Sequence, residues 1–196
     1  MDVGFVPVHH CELPRNVVLR YPDVETLRPV SWFDSAVSVM TDFSRTTPFC
    51  VEPGVSLDDA LERMRTCGVR LLFVTDNDRV VLGLITAADL LGEKPVQYLR
   101  NVGGARNNIC VENIMTPIDH LQGVEWADVI TARVGNIVET IRLFGRQHLL
   151  TTETGDTGTT MVRGIFSATQ ISRQVGTEIF VVPTPALQPQ RTPTYA

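Results

Sequence analysis

Cysteines are few in this chain and poorly spaced for chemistry. Cys11, Cys50, Cys67 and Cys110 lie far apart with no C-x-x-C pair. This spacing argues against a zinc site and against a dense disulfide framework, and reduced thiols in a cytoplasm are the simpler expectation. Long apolar runs are also missing, because no stretch approaches the roughly 20 residues that a membrane span requires. The start of the chain, with Asp2, Pro7, His9 and His10, has neither the basic beginning nor the apolar core of a signal peptide. Positive charge is in the minority. Lys and Arg number 17 against 22 Asp and Glu, for a formal charge of −5, and the arginines are scattered among carboxylates. A phosphate backbone finds no basic stripe, so neither nucleic acid nor a membrane is an expected partner.

Catalytic signatures are equally scarce. There is no Gly-x-Ser-x-Gly elbow, no Walker loop, no His-Glu-x-x-His and no Cys/His set with a third member, and a non-enzyme is expected. His9-His10-Cys11-Glu12 could be drawn as a metal cluster. Neighbouring residues on an extended arm point to opposite sides, however, and rarely share one ion, so no metal site is assigned.

What is present is a foldable body between two proline-rich edges. With 196 residues, 43% of them hydrophobic, the chain can bury a substantial core. Pro7, Pro14, Pro22 and Pro29 punctuate residues 1–30, which reads as an extended arm. Pro183, Pro185, Pro189 and Pro193 mark residues 183–196 as a disordered, proline-rich tail.

Within the body, Ser56 followed by Asp59 predicts a helix start, Leu57, Ala60, Leu61 and Met64 share one helical face, and Gly68 stands where a C-terminal cap belongs. Residues 69–74 and 79–85 are β-rich runs on either side of Asp76-Asn77-Asp78, a hairpin pattern. Thr86 and Asp89 then open a second helix as a capping box.

The second half repeats this order. Met40-Thr41 returns as Met115-Thr116, Arg70-Leu71-Leu72 as His148-Leu149-Leu150, and Gly83-Leu84-Ile85-Thr86 as Gly164-Ile165-Phe166-Ser167, with the offset growing from 75 to 78 to 81. Glu139 to Phe144 supplies the first helix of this copy, His148–Thr152 and Thr160–Phe166 its hairpin, and Ser167–Val175 its last helix. The two copies are placed at residues 31–101 and 102–182. Met40 and Met115 are expected as core fillers, and Trp32 and Trp126 as packing anchors.

The order strand, helix, strand, strand, helix, with a Met-Thr start and a closing Gly-x-x-Thr/Ser-x-x-Asp, resembles a tandem pair of cystathionine-β-synthase (CBS) domains over roughly residues 39–179. The resemblance implies an α/β (α+β) fold of two β-α-β-β-α repeats packed sheet to sheet about a pseudo-two-fold axis. It also implies a homodimer of such pairs, and clefts between the copies that hold adenosine-containing ligands such as AMP, ADP or ATP. The chain would then be a ligand sensor acting on an effector protein that the sequence does not name. The competing reading is an assembly module that dimerises and binds nothing small.

The residues can be set against such a cleft. Gly83 would let a ligand approach the backbone, Thr86 opens a helix whose free N–H groups favour phosphate, and Asp89 could accept both hydroxyls of a ribose. By the resemblance, Arg70 takes the basic position on the phosphates, and Pro48, Phe49 and Cys50 match the adenine-lining segment. Thr86 and Asp89 are explained equally by capping, worth about 1 kcal/mol without any ligand. In the second copy Ser167 keeps the hydroxyl but Gln170 replaces the aspartate. A glutamine cannot accept from both ribose hydroxyls as a carboxylate does, so capping leads there. One nucleotide per chain is expected, centred on Thr86 and Asp89, with Arg146 or His148 reaching across the cleft and His148 meeting phosphate when protonated.

Overall fold

The computed structural model describes residues 29–182. The arm assigned to residues 1–30, apart from its last two residues, and the tail at 183–196 lie outside the described residues, as do Cys11 and the His9-His10-Cys11-Glu12 run.

Local signals account for most of the elements. Strands β1 (Thr41–Asp42) and β2 (Cys50–Val51) are short, and helix α1 (Leu57–Thr66) follows them. Ser56 starts α1: its Oγ accepts from the Asp59 amide at 3.2 Å and donates to the Asp59 carboxylate at 2.7 Å. The helix buries Leu57, Ala60 and Met64, and Gly68 follows it at φ +66°, a left-handed turn that glycine adopts without strain. Strands β3 (Leu71–Thr75) and β4 (Val81–Thr86) form the hairpin. Its turn is held by Asp76 Oδ1, which accepts from the amides of Asp78 at 3.0 Å and Val80 at 2.8 Å. Helix α2 (Ala87–Leu91) opens on the Thr86–Asp89 box, and a further helix, α3 (Lys94–Val102), begins two residues beyond Gly92 with Pro95 in its first turn.

The second half contains β5 (Thr116–Pro117), β6 (Gly123–Glu125), α4 (Trp126–Val129), α5 (Val134–Phe144), β7 (His148–Thr154), β8 (Thr160–Ser167) and α6 (Ala168–Val175). Helix α5 starts five residues before the Glu139 expected from the sequence. The usual Ser, Thr or Asp signal is missing at its start, and instead Asn136 Oδ1 accepts from the Arg133 amide at 2.9 Å.

The strands assemble into two four-stranded sheets, ordered β2-β3-β4-β5 and β1-β8-β7-β6. Each sheet therefore takes one edge strand from the opposite half of the sequence. The Met115-Thr116 lead-in runs antiparallel to β4, with Thr116 opposite Leu84 and Pro117 opposite Gly83. The Met40-Thr41 lead-in runs antiparallel to β8, with Thr41 opposite Ile165 and Asp42 opposite Gly164. The exchange extends into the cores. Ala36, Val39 and Met40 are buried among Val134, Ile137, Val138, Ile141, Phe166 and Ile171, whereas Ile109, Val111 and Ile114 are buried among Leu57, Met64, Leu72, Ile85 and Leu90.

A third apolar cluster joins the sheets face to face. Phe73 of β3 meets Leu150 of β7 and Ile165 of β8, with Cys50, Leu71 and Phe43 around them. The Phe43 and Phe73 rings contact edge to face, 5.4 Å apart at 84°. The lead-in strand β1 is also fixed by charge. Arg163 Nε lies 3.0 Å from Asp42 Oδ1, its Nη1 lies 2.7 Å from Glu153, and the guanidinium sits 4.6 Å over the Trp126 ring. Hydrogen bonds from Ser44, together with Arg163, hold the Asp42 carboxyl down to about 2.

Two sequence expectations change. Leu71 pairs with Thr86 and His148 pairs with Ser167, so His148 corresponds to Leu71 and not to Arg70. The counterpart of Arg70 is Gln147: their carbonyls accept from Ala87 at 2.9 Å and Ala168 at 3.0 Å respectively. A one-residue slip moves a strand side chain to the other face, and His148 shares the face of Leu150, towards the opposite sheet. Gly83 also has a different reason from the one expected. A Cβ there would lie 2.4 Å from the Thr116 carbonyl, and one at Gly164 would lie 2.7 Å from the Thr41 carbonyl. Both glycines make room for an exchanged strand. Gly83→Ala and Gly164→Ala are each expected to lower stability by about 1–3 kcal/mol, measured by urea unfolding. An unchanged midpoint in both would contradict this account of the exchange.

Candidate functional site

The helix openings of α2 and α6 lie at matching ends of the two sheets, and the first is more elaborate. Thr86 Oγ accepts from the Asp89 amide at 3.2 Å, and Asp89 Oδ2 accepts from the Thr86 amide at 2.9 Å and the Thr86 hydroxyl at 2.7 Å. The other carboxylate oxygen, Oδ1, meets Lys94 Nζ at 2.7 Å. That ammonium also donates to the Ile114 carbonyl at 3.1 Å and to Thr116 Oγ at 3.3 Å. The cap of α2, the first residue of α3 and the lead-in of the second half thus meet at one point.

The other sheet contributes His148. Burial pushes its imidazole below the ordinary histidine value, while the negative charge of Asp89 pulls it partly back. Asp89 and His148 come from opposite halves, and the charge of the first acts on the second across the sheet interface. The expectation that His148 meets phosphate as a cation is not supported, because burial favours the neutral ring.

The remaining candidates are placed less centrally. Phe49 is exposed, its carbonyl accepting from the Phe73 amide at 2.9 Å, and Cys50 packs against the inter-sheet cluster. Arg70 is exposed and shares the strand parity of Leu72 and Val74, whose side chains pack on the helices. Arg146 is half-buried just after Gly145, the left-handed residue that ends α5. In the second opening Ser167 Oγ accepts from the Gln170 amide at 3.5 Å, and the Gln170 side chain accepts from Thr41 Oγ at 3.5 Å. Gln170 is therefore turned towards the exchanged strand. Beside Thr41, a groove of about 480 Å³ is lined by Val37, Ser38, Met40, Asp42, Arg45 and Thr46.

Lys94 was not among the residues singled out from the sequence. A usable signal was there: Pro95 after Gly92-Glu93 marks a new helix start, and a cation at the first position of that helix runs against its dipole. Among the described residues no group of three or more His, Cys, Asp or Glu could hold a metal ion, and no helix is long and apolar enough to cross a membrane.

Comparison with known proteins agrees with this architecture. Residues 39–95 match the CBS domain family. An uncharacterised conserved protein from Pyrococcus horikoshii superposes with a TM-score of 0.51 at 22% identity, covering 74% of this chain and 93% of its own. CBSX2, a CBS-pair protein of Arabidopsis thaliana, solved in complex with AMP, gives 0.50 at 21% identity over 71% and 94% of the two chains. The CBS domain pair of protein MJ0100, solved with 5′-methylthioadenosine and S-adenosyl-L-methionine, gives 0.50 at 17% identity over 74% and 97%. No curated protein matches the chain.

The imidazole offers a direct check on the cross-cleft geometry. Its pKa is depressed on folding, so its contribution to stability is complete above the ordinary value near 6.5 and is lost as the pH falls through the folded midpoint. An NMR titration should place that midpoint below 6.5, and Asp89→Asn should lower it further. A rise in Asp89→Asn would show that the charge of Asp89 does not reach the imidazole.

Proposed function

We propose that this chain, whose residues 39–95 match the CBS domain family and whose fold is similar to that of the MJ0100 CBS domain pair, is a regulatory module that binds one adenosine-containing nucleotide between its repeats. The observation that carries this reading is the meeting of the Asp89 cap and Lys94 with the Ile114 carbonyl and Thr116 of the second half at a helix opening. A ligand seated there touches both repeats, so its binding energy depends on their relative placement. That dependence is what a sensor needs in order to pass a change to a partner.

Each group has a chemical task in this reading. Asp89 accepts from the ribose hydroxyls, the Thr86 hydroxyl at the start of α2 borders the phosphate, and Phe49 with Cys50 borders the base. Neutral His148 offers one donor and one acceptor towards the sugar or base. The opening at Ser167 and Gln170 lacks a carboxylate and stays a cap. The binding of AMP by CBSX2, and of S-adenosylmethionine by the MJ0100 pair, supports an adenosyl ligand as the class to test first. The proposed role is regulatory and not catalytic, and a cytoplasmic setting is inferred from the cysteine pattern. Exposed apolar side chains on outer helices, Leu91, Val96, Val102 and Leu143, favour a homodimer of pairs. The effector would be a further protein.

A second reading also has an observation behind it. Asp89 already has partners on both oxygens, as in a purely structural latch, which suits a dimerisation module without a small ligand. Calorimetric titration with ATP, ADP and AMP separates the two. A nucleotide sensor binds one ligand per chain and melts at higher temperature with it, and Asp89→Ala loses about tenfold to a hundredfold in affinity. Unchanged affinity in Asp89→Ala would sink the site, and no binding with a dimeric mass in light scattering would favour the assembly reading.

A further inference from the structure

Lys94 stands where a helix least favours a cation. It is the first residue of α3, beside free N–H groups and the positive end of the dipole. Tertiary contacts hold it there: its three ammonium hydrogens match three acceptors, Asp89 Oδ1, the Ile114 carbonyl and Thr116 Oγ. The arrangement belongs to the first half alone. Gln170 replaces Asp89 in the second half, and the residue as far beyond Gln170 as Lys94 is beyond Asp89 is Val175.

The acceptor count on Asp89 has a consequence for any ligand placed there. A carboxylate offers about four lone-pair sites, and three are taken, two by Thr86 and one by Lys94. A ribose diol needs two. One existing bond must therefore give way, and the bond to Lys94 is the mobile one. The Thr86 bonds belong to a compact cap, whereas Lys94 sits on a four-carbon stem with its side chain 40% exposed, against 16% for Asp89. An ammonium displaced from its carboxylate then needs another anion within reach.

Resting on the nucleotide reading above, we propose that Lys94 determines which adenosine ligand the site accepts. It closes Asp89 when the site is empty. When a ribose takes its place, it transfers to the anionic 5′ group of the same ligand. Ligands with a 5′-phosphate restore the ion pair and are selected. A neutral nucleoside leaves the ammonium without its partner, and the cationic sulfonium of S-adenosylmethionine repels it.

Calorimetric titration of the full chain with AMP, adenosine and S-adenosylmethionine tests the assignment. The wild-type protein is expected to bind AMP at least about tenfold more tightly than either other ligand, with the preference shrinking at high salt. Lys94→Met should bring AMP and adenosine to within about threefold, weakening the first and strengthening the second, and Lys94→Arg should keep the wild-type order. An AMP-to-adenosine ratio that is the same in Lys94→Met as in the wild type would overturn the role of Lys94 while leaving the nucleotide reading intact. Equal affinity of the wild-type protein for AMP and adenosine would overturn it without recourse to any variant. Failure of all three ligands to bind any of the proteins would instead overturn the nucleotide reading, and this inference with it.

Discussion

The exchange of lead-in strands is the constraint on which the rest of the structure depends. A hairpin with two helices on one face is a marginal unit, since a small sheet leaves one edge unpaired and much of its apolar surface open. Each half of this chain is completed by a segment from the other. Residues around Met40 extend one sheet and fill its core, residues around Met115 do the same for the other, and Gly83 and Gly164 leave the space that lets the backbones approach. Neither repeat therefore has its full core without its sister.

The same exchange constructs the site. Thr116 arrives beside the opening of α2 because β5 pairs with β4, and it is one of the three acceptors of Lys94. Thr41 arrives beside α6 because β1 pairs with β8, and it engages Gln170. Two openings with the same backbone plan thus differ in chemistry. One carries a charge pair, Asp89 with Lys94, and the other an amide and a hydroxyl, while Leu71 stands in the strand position that His148 occupies in the second half. Pseudo-symmetry of the backbone gives two equivalent helix openings, and the side chains distinguish them.

Charge serves a second purpose on the exchanged strand β1. Asp42, Arg163, Glu153 and Trp126 form a half-buried group that holds it in register. The position opposite Gly83 is Pro117 where the position opposite Gly164 is Asp42, so β5 has no such anchor and is tied by Lys94 instead. The Lys94 tie between a helix opening and an exchanged strand therefore exists in the first sheet and not in the second.

Much of this was present in the order of residues alone. The capping pairs Ser56 with Asp59 and Thr86 with Asp89, the Asp76 turn and the apolar alternation of β3 are local signals, and local geometry follows from them wherever the chain goes. The repetition of those signals indicated two copies, and the resemblance to a tandem CBS pair implied that they pack sheet to sheet. Tertiary structure decided the matters that depend on distance in space. It showed that each Met-Thr strand serves the opposite copy, that Gly83 accommodates a strand, and that His148 aligns with Leu71. The sequence motif could not settle that last point, because a one-residue ambiguity in a short apolar run reverses the face. The role of Lys94 was hidden for a related reason: its acceptors at Ile114 and Thr116 lie far along the chain and meet it only once the strands have been exchanged.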